Sequence, residues 1–330
     1  MKNLLLLAIL TFYIYHVVRS VVIPIIPSGD DSSTHIGYCV YLNITKYLTI
    51  DKHNLQYPNV IHLLCGILAR GNIFHGIILY KIYVVFIFLL PIVLITILLY
   101  RNPYYIVILL TTSTITFGGR YIQTLGDGEI FFISSFTFFT VALYMALKNK
   151  FTLFGIFLGL SLIHYYGIIF VLSFTPYFIY LLIRKRKELI LTLLGFIIGF
   201  SPSFIKWIGL FQLIFGTSSP VSGYVEHVEE NVIFWVNFSY TPNANYGVFI
   251  FSIYLMYSII SLIYSREKLA FVPLFYVVFT LLAPVLPFSP YIKYSVAYSE
   301  LLLRLYRFLP LVTIILISIT FYNNQKNILR

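Results

Sequence analysis

Charge is what this chain has least of. Only 10% of its 330 residues are Asp, Glu, Lys or Arg, where soluble domains carry about 25%. With 60% hydrophobic residues and a mean hydropathy of +0.91, too little polar side chain remains to clothe a water-soluble fold of this length, and the chain reads as a polytopic membrane protein. Cysteine is almost as scarce. Two residues, Cys39 and Cys65, make neither a disulfide framework nor a cysteine metal motif; they read as inert buried thiols, with their pairing left open. The motifs GxxxxGK[ST], HExxH, CxxC and GxSxG are all missing, which argues against an ATPase, a zincin, a thiol oxidoreductase and an α/β-hydrolase. There is no internal repeat, no low-complexity tract and no stretch polar enough for a separate soluble domain. Residues 1–330 are therefore expected to form a single transmembrane domain.

What the chain does have is apolar runs near bilayer length. Read against Lys/Arg clusters and Pro/Gly punctuation, they predict an all-α polytopic membrane protein of about ten transmembrane helices. The spans lie near 4–24, 77–99, 103–118, 129–147, 151–166, 167–183, 188–205, 246–264, 269–288 and 306–322. The first run, Leu4 to Ile26, is too long for the apolar region of a signal peptide and lacks a small-residue cleavage site, so it is expected to stay as an anchor. Between Phe151 and Ile183 only His164 to Gly167 separate two spans, which predicts a tight hairpin.

The basic residues Lys2, Arg101, Lys148, Lys150, Arg184 to Lys187, Arg266, Lys268, Lys326 and Arg330 all fall on one face under this ten-span arrangement. By the positive-inside rule that face is cytoplasmic and both termini lie there, in an integral protein of the cell membrane. The net charge of +11 is then explained by loops, and no nucleic-acid partner is expected. Acids go the other way: Asp30, Asp31, Asp51, Asp127, Glu129, Glu226, Glu229, Glu230 and Glu300 fall outside, and only Glu188 and Glu267 inside. Acidic residues contribute little to orientation, so this asymmetry points to chemistry on the extracytoplasmic face. The outer segments are 27–76, 119–128, 206–246 and 289–305.

In the first outer segment Asp30 and Asp31 open SGDDSSTHIGY, and either caps a helix starting at Ser32 in which Ile36, Val40, Ile44, Tyr47 and Leu48 recur at helical spacing. The pattern predicts one amphipathic helix at the membrane surface. Asp31 and His35, four apart, share a face of it. A partly desolvated carboxylate beside a membrane is a good general base toward a hydroxyl; plain helix capping is the alternative. A second interfacial piece begins near Tyr57-Pro58 and runs through His62, Leu63 and Leu64 to Arg70.

Asp127 and Glu129, in TLGDGEIFF, sit on flexible glycine-flanked backbone where acceptor or metal can approach. Asp31 and Asp127 together offer oxygen ligands of the kind that suit Mg²⁺ or Mn²⁺. Outer basic residues are fewer than inner ones and so more informative. Arg120 follows the third span, and Arg304 and Arg307 share a helix face in LLLRLYRFLP, where guanidinium groups can grip phosphate bidentately. His164, beside Tyr165 and Tyr166 at the outer end of a span, is read as hydrogen-bonded packing or as a substrate-positioning residue. Ser218 to Tyr246, rich in aromatics and carboxylates, suits recognition of a sugar-bearing acceptor.

Together these pieces resemble the GT-C glycosyltransferases, multi-span enzymes that use polyprenyl-phosphate sugars and include protein O-mannosyltransferases, aminoarabinose transferases and oligosaccharyltransferase catalytic subunits. The resemblance lies in one span, an outer loop opening with acid (GDDSSTH), an amphipathic helix and a YP-containing segment (QYPNVIHLL). It continues with an acidic motif after the third span (GDGE), an LIHYYG element and a late outer arginine segment (RLYRFLP). It implies inverting transfer of a hexosyl or pentosyl group at the outer face. Asp31 or Asp30 would be the base, Asp127 or Glu129 would position acceptor or metal with His35 and His164 nearby, and Arg304, Arg307 and Arg120 would hold the donor phosphate. The larger members carry a C-terminal soluble domain and more spans, so of the lipid, glycan and protein acceptors a lipid or glycan is expected here ahead of a protein. A flippase or other transporter of lipid-linked sugars and a non-catalytic assembly subunit are the alternatives from other classes; charges gathered at span ends rather than at the midplane disfavour the first of these.

Overall fold

The computed structural model describes residues 2–27, 32–48, 60–99, 125, 130–164, 167–208, 256, 268–282, 312, 315, 316 and 319. Among them every regular element is helical and there is no strand. Four helices, Ile73–Ile97, Ile130–Leu147, Gly167–Arg184 and Arg186–Ile208, are long and apolar enough to cross a membrane, the mark of a membrane protein. In hydrocarbon the backbone must satisfy its own polar groups, so runs of Leu, Ile and Phe without polar relief have helix as their solution. The expected spans near 103–118, 246–264 and 306–322 fall largely or wholly outside the described residues.

Helix α1 (Lys2–Val17) widens into a π turn over Val18–Val22, where Ile23 N donates to Val18 O at 2.9 Å. Lys81 takes up carbonyls left over at its end: Nζ donates to Val22 O at 3.1 Å and to Pro24 O at 2.5 Å. Next come α2 (Ser32–Tyr41) and α3 (Ile44–Leu48), then α4 (Val60–Ala69) and α5 (Ile73–Leu99). Arg70 (φ 51°) and Gly71 (φ 78°) in left-handed backbone end α4, and the Asn72 side chain caps α5 by accepting from the backbone N–H groups of Phe74 and His75.

The single amphipathic helix expected from Ser32 to Leu48 is not formed. It breaks at Leu42 and Asn43, because the Asn43 side chain accepts from Lys46 N at 2.9 Å and so starts a new helix rather than continuing the old one. Ile36, Val40 and Tyr47 are buried as the periodicity requires, but Ile44, beyond the break, is 57% exposed. The apolar face of α2 is covered by α4 and α5.

Helix α6 (Ile130–Leu147) is the centre of the bundle. In its span window 78% is buried, against 22% in Arg186–Ile208. It packs on α5 and on α7 (Phe151–Leu160). Pro91 inside α5 has no N–H for the carbonyl of Ile87, and the Thr137 hydroxyl of α6 reaches across to that oxygen at 2.6 Å. After α7 a 3-10 turn, Ser161–Ile163, leads to His164, whose carbonyl accepts from Gly167 N at 2.8 Å, giving the tight reversal expected there. Helices α8 (Gly167–Ser173), α9 (Thr175–Arg184) and α10 (Arg186–Phe200) follow, with α11 (Phe271–Leu282) packed on α8 and α9. Phe170 of α8 and Tyr276 of α11 stack at 5.5 Å between centroids.

Helices α7 and α10 meet backbone to backbone. A side chain at Gly155 would strike Thr192 O, at Gly159 Phe196 O, at Gly195 Thr152 O and at Gly199 Ile156 O. Two glycines four apart on each helix let the axes approach closely, which is how apolar helices associate where no hydrophobic drive separates lipid from protein.

The bundle has two chemically different ends. Lys148 and Lys150, Arg184 to Lys187, and Lys268 lie in the α6–α7 and α9–α10 turns and in the short turn Lys268–Ala270 that touches α6 and α9. At the other end α6 and α8 begin and α7 and α10 finish. There Trp207 Nε1 donates to Leu162 O at 2.8 Å, Tyr47 OH donates to Pro202 O at 2.6 Å, and Lys206 Nζ lies 5.4 Å from the Tyr47 ring centroid.

Candidate functional site

Of the residues singled out in the sequence, the structure describes His35 and His164. Asp30, Asp31, Asp127, Glu129, Arg120, Arg304 and Arg307 lie outside the described residues, as do the acceptor-recognition stretch Ser218 to Tyr246 and the segment before Val60 that contains Tyr57-Pro58. Both described histidines approach the first turn of α6. The His35 ring meets Phe131 edge-on at 4.8 Å, and the His164 ring lies 6.3 Å from Phe132. His35 is wholly buried and His164 is 4% exposed.

His35 stands in the first turn of α2, and its partner was not singled out as a site residue. His62, on α4, is also wholly buried, with Nε2 at 3.1 Å from His35 Nδ1 and the two rings stacked at 5.2 Å. One ring nitrogen donates and the other accepts, so a single hydrogen lies between them. Phe131 (4.5 Å) and Tyr38 (5.1 Å) also flank the His62 ring, and Tyr80 lies 6.0 Å from that of His35. Burial, with the neighbouring His35 adding to it, holds His62 well below the ordinary imidazole range. It is neutral at physiological pH and can only share or relay the hydrogen.

One turn further along the same helices come the thiols. Cys39 follows His35 by four residues on α2, and Cys65 follows His62 by three on α4, so each pair shares a face. Both thiols are buried, as expected. Alongside, Tyr83 OH pairs with Ser134 Oγ at 2.5 Å. Because Ser134 donates to Ile130 O at 2.6 Å, the tyrosine is the donor to the serine. The spacing of His35 with Cys39 and of His62 with Cys65 was visible in the sequence; that α2 and α4 face one another was not.

No protein-family model, curated protein or solved structure matches this chain.

The geometry of the described residues must therefore carry the chemistry. Among them no group of three His, Cys, Asp or Glu side chains is placed to hold a metal ion. The acids Asp31 and Asp127, expected to favour Mg²⁺ or Mn²⁺, lie outside that set. What the described residues do provide is a junction. Ser32, which directly follows Asp31, is wholly buried; Leu125 is 2% exposed and Ile130, which directly follows Glu129, 1%. The first turn of α2, carrying His35, packs on the first turn of α6, carrying Phe131. The two acidic stretches of the sequence thus lead into two helices whose first turns touch.

Proposed function

We propose that this chain is an integral-membrane glycosyltransferase of GT-C type, with about ten transmembrane helices, both termini cytoplasmic and an extracytoplasmic site. It transfers a sugar from a polyprenyl-phosphate donor to a lipid or glycan acceptor. The observation that supports this reading is the packing of His35 on Phe131, at 4.8 Å, because acids that lead into touching, buried helix starts are poorly suited to being solvated caps and well suited to lining one cavity. The concentration of basic residues at the opposite end of the bundle agrees with the proposed orientation.

In the proposed reaction Asp31 accepts the acceptor hydroxyl proton as that oxygen attacks the anomeric carbon. The bond from that carbon to the phosphate oxygen breaks with inversion, and Arg304, Arg307 and Arg120 take up the charge of the departing lipid phosphate. Asp127 and Glu129 orient the acceptor, with His35 and His164 behind them.

The test uses the purified full chain with labelled polyprenyl-phosphate sugars and lipid or glycan acceptors. Asp31→Asn should lower transfer by about 10²- to 10⁴-fold, with Asp30→Asn less damaging. Wild-type rates in the double variant would overturn the assignment, and movement of labelled lipid across vesicles without covalent transfer would replace it with a flippase.

A further inference from the structure

Seven basic residues stand at one end of the bundle, in three turns that are far apart in the sequence: Lys148 and Lys150 between α6 and α7, the run Arg184 to Lys187 between α9 and α10, and Lys268 just before α11. Tertiary contacts gather these turns. Lys185 Nζ lies 5.7 Å from the ring centroid of Phe151, the first residue of α7, and the Lys268–Ala270 turn touches both α6 and α9. We propose that the three turns form one site for the phosphate headgroup of an anionic membrane lipid, with Arg184 and Arg186 gripping phosphate oxygens and the lysines surrounding them with charge.

The charge at this end exceeds what its own acids balance. Six of the seven residues are exposed and Lys185 is half-buried. Against them stand Glu188, in the first turn of α10, and Glu267, which directly precedes Lys268 in the sequence; seven cations and two acids leave a net charge of +5. Guanidinium offers phosphate paired N–H donors, and ammonium adds a compact point charge. Rings fix two of the ammonium groups: Lys148 Nζ lies 5.4 Å from the Tyr144 centroid, as Lys185 does from Phe151, both within cation–π reach. Roughly four to eight Lys or Arg directly beside a spanning helix is the pattern that recruits anionic lipid. Here four follow one another between Gly167–Arg184 and Arg186–Ile208, two helices long enough to cross a membrane, and folding brings three more. Orienting the chain in a membrane requires basic residues on one side, not their gathering around one point.

The apolar surroundings select a lipid over a free anion. Leu182 and Ile183, directly before Arg184, Ile190, three residues after Lys187, and Leu153, three after Lys150, are all exposed. Acyl chains attached to a phosphate held in the turns run along these side chains, covering apolar surface that a soluble phosphate leaves bare.

This inference stands independently of the proposed glycosyl transfer. The full chain in detergent is titrated with phosphatidylglycerol and phosphatidylcholine carrying the same fluorescent acyl chain, and a phosphatidylglycerol with a photoreactive acyl chain is cross-linked and mapped by peptide mass. The wild type should bind phosphatidylglycerol at least about 10-fold more tightly, with cross-links on peptides that contain Leu153, Leu182, Ile183 or Ile190. Arg184→Gln with Arg186→Gln should weaken that binding by about 10- to 30-fold. Lys46→Gln with Lys206→Gln, which removes the same charge at the opposite end beside Tyr47, should change it by less than about 2-fold. Equal affinity for the two lipids, equal losses in the two double variants, or cross-links confined to other helices overturns the site. Inorganic phosphate, against a chloride control of equal ionic strength, should leave the lipid bound; full displacement would make free phosphate the ligand and overturn the lipid assignment. The wild-type affinities and cross-links decide the site by themselves, so the outcome does not depend on either variant folding.

Discussion

His35 Nδ1 and His62 Nε2 lie 3.1 Å apart between two helices that the sequence separates by eighteen residues, 42–59. The pair is closed to water, since both rings are wholly buried. Two buried imidazoles this close cannot both carry charge at tolerable cost, so the pair holds one shared hydrogen and stays neutral.

Acid should therefore unfold this region first. His62 is held well below its ordinary value, by burial first and by His35 second, while in the unfolded chain it titrates near 6.5. The unfolded state binds the extra proton, so the contribution of His62 is fully present above about pH 6.5 and is lost as pH falls from there toward the depressed native value. Stability measured between pH 7 and 5 should fall more steeply in the wild type than in His62→Asn, by up to about 1.4 kcal/mol per pH unit. Parallel slopes would remove His62 as the titrating group.

Thr137 should matter more because Pro91 is present. Its hydroxyl lies 2.6 Å from Ile87 O, the carbonyl that Pro91 leaves without a helical partner, and 2.8 Å from Ile133 O of its own helix, whose carbonyl already accepts a helical N–H. Thr137→Val should cost about 1 to 3 kcal/mol by stranding a buried acceptor. In a Pro91→Ala background the backbone supplies the missing donor, and the cost should shrink to below about 1 kcal/mol. Equal losses in both backgrounds would show that the two residues are uncoupled.

Two alanine substitutions should move melting in opposite directions. At Gly37 of α2 there is nothing within 4 Å of an added Cβ, so Gly37→Ala should stabilise by about 1 kcal/mol through helix propensity. At Gly199 the added atom would strike the Ile156 backbone, and the axes of α7 and α10 must separate. Gly199→Ala should lower the melting temperature despite the same propensity gain. A rise in both would mean that the seam is looser than described.

On the proposed reaction, the arginines and the base should separate kinetically. Arg304→Gln and Arg307→Gln each remove a charge-assisted contact to the donor phosphate, worth about 1.5 to 3 kcal/mol, and should raise donor KM by about 10- to 100-fold. Asp31→Asn should lower kcat with donor KM little changed. Measured kcat and KM for the three variants check this; arginine variants that keep both the wild-type kcat and the wild-type donor KM would argue against a phosphate grip.

Local pattern alone was enough to place much of the chain. Long continuous runs of Leu, Ile and Phe satisfy their own backbone in hydrocarbon as helix, so the expected spans 77–99, 129–147 and 167–183 reappear as Ile73–Leu99, Ile130–Leu147 and Gly167–Arg184. The buried positions Ile36, Val40 and Tyr47 followed from spacing alone, because helical periodicity reports a face. It does not report interruption, and the Asn43 cap, a competition between one side chain and the backbone, ended α2 where the apolar pattern ran on.

Only the tertiary structure decided which faces meet. His35 and Cys39, like His62 and Cys65, were readable as neighbours along their own helices, since each pair is set by the local helical repeat. Their meeting across α2 and α4 depends on a contact that no local periodicity encodes. The same holds for the glycines of α7 and α10, whose spacing signals a close approach but not its partner. In an apolar chain most faces are equally greasy, so hydropathy places the helices while shape and a few buried polar groups choose their neighbours.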